Sequence, residues 1–163
     1  MLDRRALIAS ALAAATIALA GCQTTTPIAA GMPIAAVRVD ASRLAELGVG
    51  PYAGRIRAIV QAELDRALAP NGQRGGAVVT VALRSLFLSA YVGSAIDDGE
   101  GSDHLESLTT VTGADGRVLA TYPINSSNGS GDAGAWYAPG LTDKRIDLLA
   151  HNHALWIIRA VRG

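Results

Sequence analysis

The stretch GAVVTVALRSLFL, residues 76–88, is the strongest strand signal in the chain and decides the fold. Val79, Val81 and Leu83 alternate with smaller or polar side chains, which is the period-two pattern of a strand buried on one face. The run is long for a strand and continues into Leu86-Phe87-Leu88, which we interpret as core. It therefore predicts a central strand of a sheet, bent near Arg84-Ser85.

Two elements precede this strand. Residues 33–40 are rich in β-branched side chains and predict a first strand. The chain breaks at residues 48–51, and Pro51 can occupy the first turn of a helix. The apolar residues that follow have helical spacing: Ile56, Ile59, Val60, Leu64 and Leu68. We expect this helix to end before Pro70-Asn71-Gly72.

Three elements follow the central strand. Residues 104–112 predict a third strand, and Asp115-Gly116 is a hairpin turn signal. Residues 117–124 predict a fourth strand, with Pro123 near its end or on an edge strand. Residues 125–140, rich in Gly, Ser and Asn, are expected to form a loop.

The pattern near the end of the chain predicts a second helix, from Thr142 to Val161, with Thr142 as its N-cap. Helical spacing places seven residues on one face: Ile146, Leu149, Ala150, His153, Trp156, Ile157 and Ala160.

The element order is thus β-α-β-β-β-α, which predicts the α+β class: a small, mostly antiparallel sheet with two helices packed on one face. Residues 33–163 would form a single domain. The order is similar to that of periplasmic βαββ modules such as the amino-terminal domain of TolB-like proteins and the curli-secretion lipoprotein family. No residue motif accompanies this likeness, so it implies no function.

The amino terminus has the pattern of a secretory signal. Arg4 and Arg5 form a short positive region, and residues 6–20 are apolar and uncharged. This apolar run is shorter than the roughly 20 residues that a membrane-spanning helix needs. We therefore expect a cleaved signal peptide at residues 1–21.

Leu19-Ala20-Gly21-Cys22 closely resembles the lipobox of bacterial lipoproteins. The resemblance implies that Cys22 receives a diacylglyceryl thioether, that the chain is cut before it, and that the new amino terminus is acylated. Residues 22–32 would then be the lipidated Cys and a flexible tether. Gln23 takes the position where Asp favours inner-membrane retention, so the resemblance implies the periplasmic side of the outer membrane. The alternative is an ordinary signal peptide followed by a free Cys22.

The charge balance excludes one class of partner. Loss of residues 1–21 removes Asp3, Arg4 and Arg5 and leaves 12 basic and 13 acidic side chains. A nearly neutral domain lacks the basic stripe that nucleic-acid binding requires. We expect contact with the membrane through the lipid anchor, an envelope protein as partner, and no nucleic acid.

Three patterns in the sequence could indicate a metal site or an enzyme, and each also has a structural explanation. His151 and His153 could suggest a metal, but residues i and i+2 of a helix point to different sides, so we expect His153 to be a hydrogen-bonded core residue. An acidic loop could bind calcium weakly, although it lacks the EF-hand pattern: Asp97, Asp98, Glu100 and Asp103. No serine lies in a nucleophile elbow. We predict no enzyme activity, no cofactor and no resident metal.

Trp136-Tyr137 in the glycine-rich loop is the best candidate for partner contact, because large aromatic side chains are enriched at protein interfaces. The alternative is that Trp136 folds back to cover the core. The function that follows is a non-catalytic accessory or assembly lipoprotein of the cell envelope. Two other hypotheses remain: a hydrolase or small-ligand-binding lipoprotein with a site between residues 97–103 and 125–140, and a structural surface lipoprotein without a dedicated partner.

Overall fold

The computed structural model describes residue 28 and residues 31–90 and 101–163. These residues form an open, four-stranded mixed sheet and two long helices, so the predicted α+β class is confirmed. The elements are β1 (Ile34–Asp40), α1 (Gly50–Leu68), β2 (Ala77–Phe87), β3 (Ser102–Thr112), β4 (Val118–Gly129) and α2 (Leu141–Arg162).

The sheet has the strand order β1-β2-β3-β4, which places β2 between two neighbours. β1 is parallel to β2, and the other two pairs are antiparallel. The β2–β3 register shifts between Leu83 and Ser85, because a bulge lies there. The central position of β2 and its bend near Arg84-Ser85 are therefore confirmed.

Both long helices pack on one face of the sheet. On β2 the residues facing the helices are buried, including Val79, Val81 and Leu83. The helices complete the core with aliphatic side chains: Ile56, Val60, Leu64 and Leu68 from α1, and Ile146, Leu149 and Ile157 from α2. Burial of each such side chain stabilises the fold by about 1.5–3 kcal/mol before the entropy cost. The opposite face of the sheet carries more exposed residues, such as Arg38 and Arg84.

α1 begins and ends where the sequence indicates. Pro51 lies in its first turn, and Ala69 ends it with a left-handed φ of 46°, directly before Pro70. A short helical segment that the sequence pattern did not predict precedes it, Ser42–Leu44 continuing through Ala45–Val49. Gly48 interrupts this segment with a φ of 83°, a backbone conformation that glycine adopts without strain.

β4 is longer than predicted, because it continues through residues 125–129 instead of ending at 124. These residues are Asn, Ser and Gly, which have low strand propensity, but pairing with β3 continues through Ser127 and Asn128. Tertiary pairing thus overrides local preference. Pro123 lies on an edge strand, as expected for a residue with no N–H to donate.

Two details of α2 were predicted wrongly. The helix begins at Leu141 after Gly140, whose φ is 66°, so Thr142 is not its N-cap. Trp156 is not on the buried face, because half of its side chain is exposed while neighbouring Ile157 is fully buried. Adjacent helical residues lie about 100° apart, so the burial of Ile157 does not require burial of Trp156. No helix in the described part of the chain is long and apolar enough to cross a bilayer.

The two edges of the sheet differ. At β1, the amide of Gln61 accepts the N–H of Val39 (3.0 Å) and donates to the carbonyl of Val37 (3.2 Å). The guanidinium of Arg57 donates to the carbonyl of Val39 (3.1 Å). Side chains of α1 thus occupy the free backbone groups of β1. The edge of β4 is interrupted in a different way, by Pro123.

Pairing and helix contacts define two ends of the domain. We call the end where Thr112 pairs with Val118 the hairpin end, and the end where Ser102 pairs with Gly129 the loop end. The hairpin end also includes the start of β1 and the carboxyl ends of both long helices, since Arg162 donates to the carbonyl of Leu68 (3.2 Å). The loop end includes the amino end of α2.

Candidate partner-binding site

The aromatic pair singled out from the sequence lies on the surface at the loop end. Trp136 is 67% exposed and Tyr137 is 74% exposed. Their rings are in contact, with centroids 5.6 Å apart and planes at 87°. This edge-to-face arrangement is a favourable geometry for two aromatic rings. The alternative in which Trp136 covers the core is wrong.

A backbone turn presents the two rings. The N–H of Ala138 donates to the carbonyl of Ala135 (2.8 Å), so Trp136 and Tyr137 occupy the two central positions of a four-residue turn. The connection before it is also held by backbone contacts, since Ser130 N–H donates to Gly101 O (2.8 Å). The rings are therefore carried at the tip of a hydrogen-bonded connection between β4 and α2.

A buried ion pair fixes the start of α2 beside this connection. Arg145 donates through Nε (2.8 Å) and through a terminal nitrogen to the carboxylate of Asp103. Asp103 also accepts the N–H of Ser89 (2.9 Å), and Arg145 donates to the carbonyl of Ser89 (2.7 Å). The two charged groups are almost fully buried and satisfy each other, as buried charges must.

This pair corrects one sequence prediction. Asp103 was expected in a solvated acidic loop, but it belongs to β3 and is 1% exposed. Its carboxylate is engaged by Arg145 and is not available to calcium. The other three candidate ligands, Asp97, Asp98 and Glu100, lie outside the described residues. No group of three or more metal-ligating side chains occurs in residues 31–90 and 101–163.

His153 lies at the centre of a second buried polar cluster, between two serines. Its Nδ1 is 2.7 Å from Ser126 Oγ and its Nε2 is 2.8 Å from Ser107 Oγ. In the neutral ring one nitrogen donates and the other accepts, so both hydroxyls are used. Burial lowers the pKa of His153 from 6.5 to about 4, because the charged imidazolium would lose its hydration.

This serine–histidine–serine cluster resembles a catalytic constellation in chemistry but not in access. His153 is 0% exposed and Ser126 is 2% exposed, so no substrate atom could reach them without opening the domain. The expectation of a hydrogen-bonded core histidine is confirmed. His151 lies on another side of α2, exposed, with Nδ1 3.3 Å from Glu63.

A second exposed aromatic position, which the sequence pattern did not predict, lies on the outer flank of α2. Trp156 contacts the guanidinium of Arg159, which lies 5.3 Å from the ring centroid, and Leu155 beside it is half exposed. One turn earlier Asn152 donates to Asn128 of β4 (2.9 Å), so this flank runs beside the β4 edge. Phe87, which we interpreted as core, is also exposed, with its ring 6.1 Å from that of His104.

The predicted anchor cannot be placed in the fold. The lipobox residues, the lipidated Cys and the sorting residue lie outside the described residues: Leu19, Ala20, Gly21, Cys22 and Gln23. Most of the predicted tether lies there too. Three of its residues are described: Ile28, Gly31 and Met32. Ile28 is 8% exposed and belongs to the core cluster, and Met32 packs against it.

Comparisons with known proteins give no assignment. No protein-family model and no curated protein matches the chain. Among solved structures, a presumed lipoprotein from Caulobacter crescentus CB15 has a TM-score of 0.41 at 18% identity, covering 78% of this chain and 86% of that one. A dodecamer of a PelC variant from Paraburkholderia phytofirmans has a TM-score of 0.42 at 12% identity, covering 85% and 95%. Likenesses this distant support no inference about the present chain.

Proposed function

We propose that this protein is a bacterial envelope lipoprotein, anchored by Cys22 on the periplasmic side of the outer membrane. Its domain binds another envelope protein through Trp136 and Tyr137 and performs no catalysis. The observation that carries this proposal is the exposed, turn-mounted aromatic pair. Together the two side chains offer a large apolar area that no residue of the domain covers in the described part of the chain.

The position of the pair supports binding away from the membrane. Ile28 packs in the core, and its backbone hydrogen-bonds the side chain of Tyr122, nearer the hairpin end of β4 than the loop end. Ile28 is six residues after Cys22 in the chain, a distance that can span at most about 20 Å. The pair lies at the loop end, across a sheet whose strands of 11 residues are about 36 Å long. Because Tyr122 lies nearer the hairpin end, this reach favours an anchor on that side of the domain and an aromatic pair that faces the periplasm.

The buried polar groups support a non-catalytic role. Arg145 and Asp103 neutralise each other inside the domain, and both ring nitrogens of His153 are occupied by serine hydroxyls. These groups tie α2 to β3 and β4 instead of facing solvent. Their chemistry is therefore used to fix the helix that follows the aromatic turn.

The anchor is tested by metabolic labelling with radioactive palmitate. We expect label in the wild-type chain and none in Cys22→Ala, because only a thiolate can form the thioether. Ser130→Ala, a change in the mature domain, is the labelling control. Equal labelling of the wild-type chain and Cys22→Ala would remove the anchor from the proposal.

The binding surface is tested by photo-crosslinking in native envelopes, with the probe at Ala135 beside the aromatic pair. We expect one envelope protein to be captured, and capture to fall at least tenfold in Trp136→Ala/Tyr137→Ala, as for loss of aromatic hot-spot residues. Trp156→Ala removes another exposed tryptophan and should leave capture unchanged. If both variants capture as well as wild type, the aromatic turn is not the binding surface.

A further inference from the structure

A cavity of about 530 Å³ lies on the helix-free face of the sheet, at the hairpin end. Its floor is formed by side chains of β2 and β3, and its walls by the Gly-rich turn before β2 and the β3–β4 hairpin. The volume is in the range of small-molecule sites. Its lining includes six residues with charged, hydroxyl or no side chains: Arg38, Arg74, Gly75, Gly76, Thr80 and Thr112.

Two of the residues that line the cavity, Gly75 and Gly76, are glycines of the turn before β2. A Cβ on Gly76 would lie 2.8 Å from the backbone nitrogen of Ala35, so no side chain fits at that position. Gly75 has a φ of 99°, which strongly favours glycine. Gly76 therefore lets β1 pack closely against the start of β2, whereas the position of a Cβ on Gly75 faces open space.

The charge of the cavity is positive. Arg38 is paired in register with Thr80, so its guanidinium and the hydroxyl lie on the same face of adjacent strands. Arg74 extends from the turn on the other side. No carboxylate lines the cavity, and neither arginine forms an ion pair with any residue of the described ranges.

The acidic groups close by in sequence are already engaged. Asp115 of the hairpin accepts the N–H of Arg117 (3.1 Å), and Asp40 of β1 accepts the N–H of Ser42 (2.9 Å). Backbone and side-chain hydrogen bonds from Ser42 keep the pKa of Asp40 below its usual value, so this carboxylate stays charged and bound in its own turn. Neither of these carboxylates forms an ion pair with Arg38 or Arg74.

We propose that this cavity binds a phosphate-bearing anion, with Arg38 and Arg74 as its cationic contacts and Thr80 and Thr112 as hydroxyl donors. Guanidinium groups match the geometry of phosphate oxygens, and charge-assisted hydrogen bonds of this kind are the strongest that a half-exposed site can offer. The phosphate can belong to a soluble molecule or to a lipid headgroup. The lipid source rests on the proposed anchoring, which brings the hairpin end towards the bilayer.

The first test is protection of arginine from phenylglyoxal, using the purified full chain in a neutral detergent. Modification of Arg38 and Arg74 is followed by mass spectrometry, with exposed Arg84 of the same sheet face as the internal control. We expect ~10 mM inorganic phosphate to slow modification of Arg38 and Arg74 about threefold or more, as for a dissociation constant in the millimolar range. Sodium chloride of equal ionic strength should not protect them. Equal rates at all three arginines with and without phosphate would overturn the proposal.

The second test distinguishes a lipid headgroup from a soluble phosphate-bearing molecule. It does not depend on palmitate labelling of Cys22. The chain is incorporated into vesicles of phosphatidylcholine with or without phosphatidylglycerol, and the same footprint is measured without free phosphate. Protection only with phosphatidylglycerol identifies a lipid headgroup, whereas protection by inorganic phosphate but by neither vesicle identifies a soluble ligand. If the chain is not anchored by lipid, the vesicles should give no protection of the two arginines, whereas inorganic phosphate should still protect them.

A variant confirms the contacts. Arg38→Gln/Arg74→Gln should unfold at the same temperature as wild type without phosphate, since both side chains are exposed. Phosphate should raise the unfolding temperature of wild type and of Arg84→Gln but not that of the double variant, because a ligand stabilises only the state it binds. An equal rise in all three proteins would contradict the assignment.

Discussion

At the scale of single residues, His153 couples the stability of the domain to pH. Its pKa is about 4 in the folded chain and near 6.5 when it is unfolded, so the unfolded state takes up a proton first as pH falls. The stabilisation is fully present above pH 6.5 and is lost progressively towards pH 4. We expect His153 to account for a loss of up to about 3 kcal/mol in the free energy of unfolding across this window. Urea denaturation at a series of pH values measures it.

The matched variant is His153→Gln, which cannot titrate. It should be less stable than wild type at pH 7, because two buried serine hydroxyls lose their ring partner, but its stability should change much less between pH 6.5 and 4. His151→Gln, on the exposed side of the same helix, should keep the steep region of the wild-type profile. Parallel profiles for wild type and His153→Gln would show that another group governs the acid response.

The sequence predicts the burial of His153 but not its partners. Helical spacing places it on the apolar face of α2, and that expectation needs only local periodicity. Ser107 and Ser126 are 46 and 27 residues away in the chain, on two different strands. A hydrogen bond between such residues depends on strand register, which the sequence pattern does not specify. The same holds for Arg145 and Asp103, 42 residues apart.

At the scale of elements, α2 offers a sharp test in two adjacent residues. Ile157 is fully buried and Trp156 is half exposed. Ile157→Ala should lower the free energy of unfolding by about 2–5 kcal/mol, because it leaves a cavity in the core. Trp156→Ala should cost about 1 kcal/mol or less, the loss of a surface contact with Arg159. Chemical denaturation of both variants decides the matter, and a larger loss for Trp156 would contradict the orientation of the helix.

The element errors have physical causes. Trp156 was placed in the core because the helical period tolerates an arc of positions, and a large apolar side chain at its border looks buried. β4 was ended early because Asn, Ser and Gly have low strand propensity, although β3 supplies the pairing that extends it. Elements with strong internal periodicity, β2 and α1, were predicted closely. Elements whose extent depends on pairing with a neighbouring strand, such as β4, were predicted less closely.

At the scale of the whole molecule, Ile28 belongs to the core although the sequence placed it in the tether. Ile28→Ala should lower the free energy of unfolding by about 2 kcal/mol, because the side chain is buried against the core. Leu47→Ala, at an exposed apolar residue, should change it by less than about 0.5 kcal/mol. Urea denaturation of the two variants measures the difference. If Ile28→Ala were as stable as wild type, residue 28 would belong to the tether.

Fold class, element order and the interior position of β2 were predictable, because they follow from periodicity, breakers and turn signals along the chain. The exposed aromatic turn was found as a candidate from its composition, but its exposure needed the structure. The cavity with Arg38 and Arg74 was not predictable. Its two arginines are far apart in sequence, and only the parallel pairing of β1 with β2 brings them together.

Under the proposed lipid anchoring, the difference between the two edges of the sheet has a consequence for molecules held at high density on a membrane. Anchored molecules diffuse in two dimensions at high local density, where an unpaired edge strand could pair with a neighbouring copy and start a fibre. In this sheet Gln61 and Arg57 bind free backbone groups of the β1 edge, and Pro123 removes one hydrogen-bond donor from the β4 edge. Because the β1 edge is closed, edge-to-edge strand pairing through β4 could join two copies at most. High local density therefore does not lead to fibres.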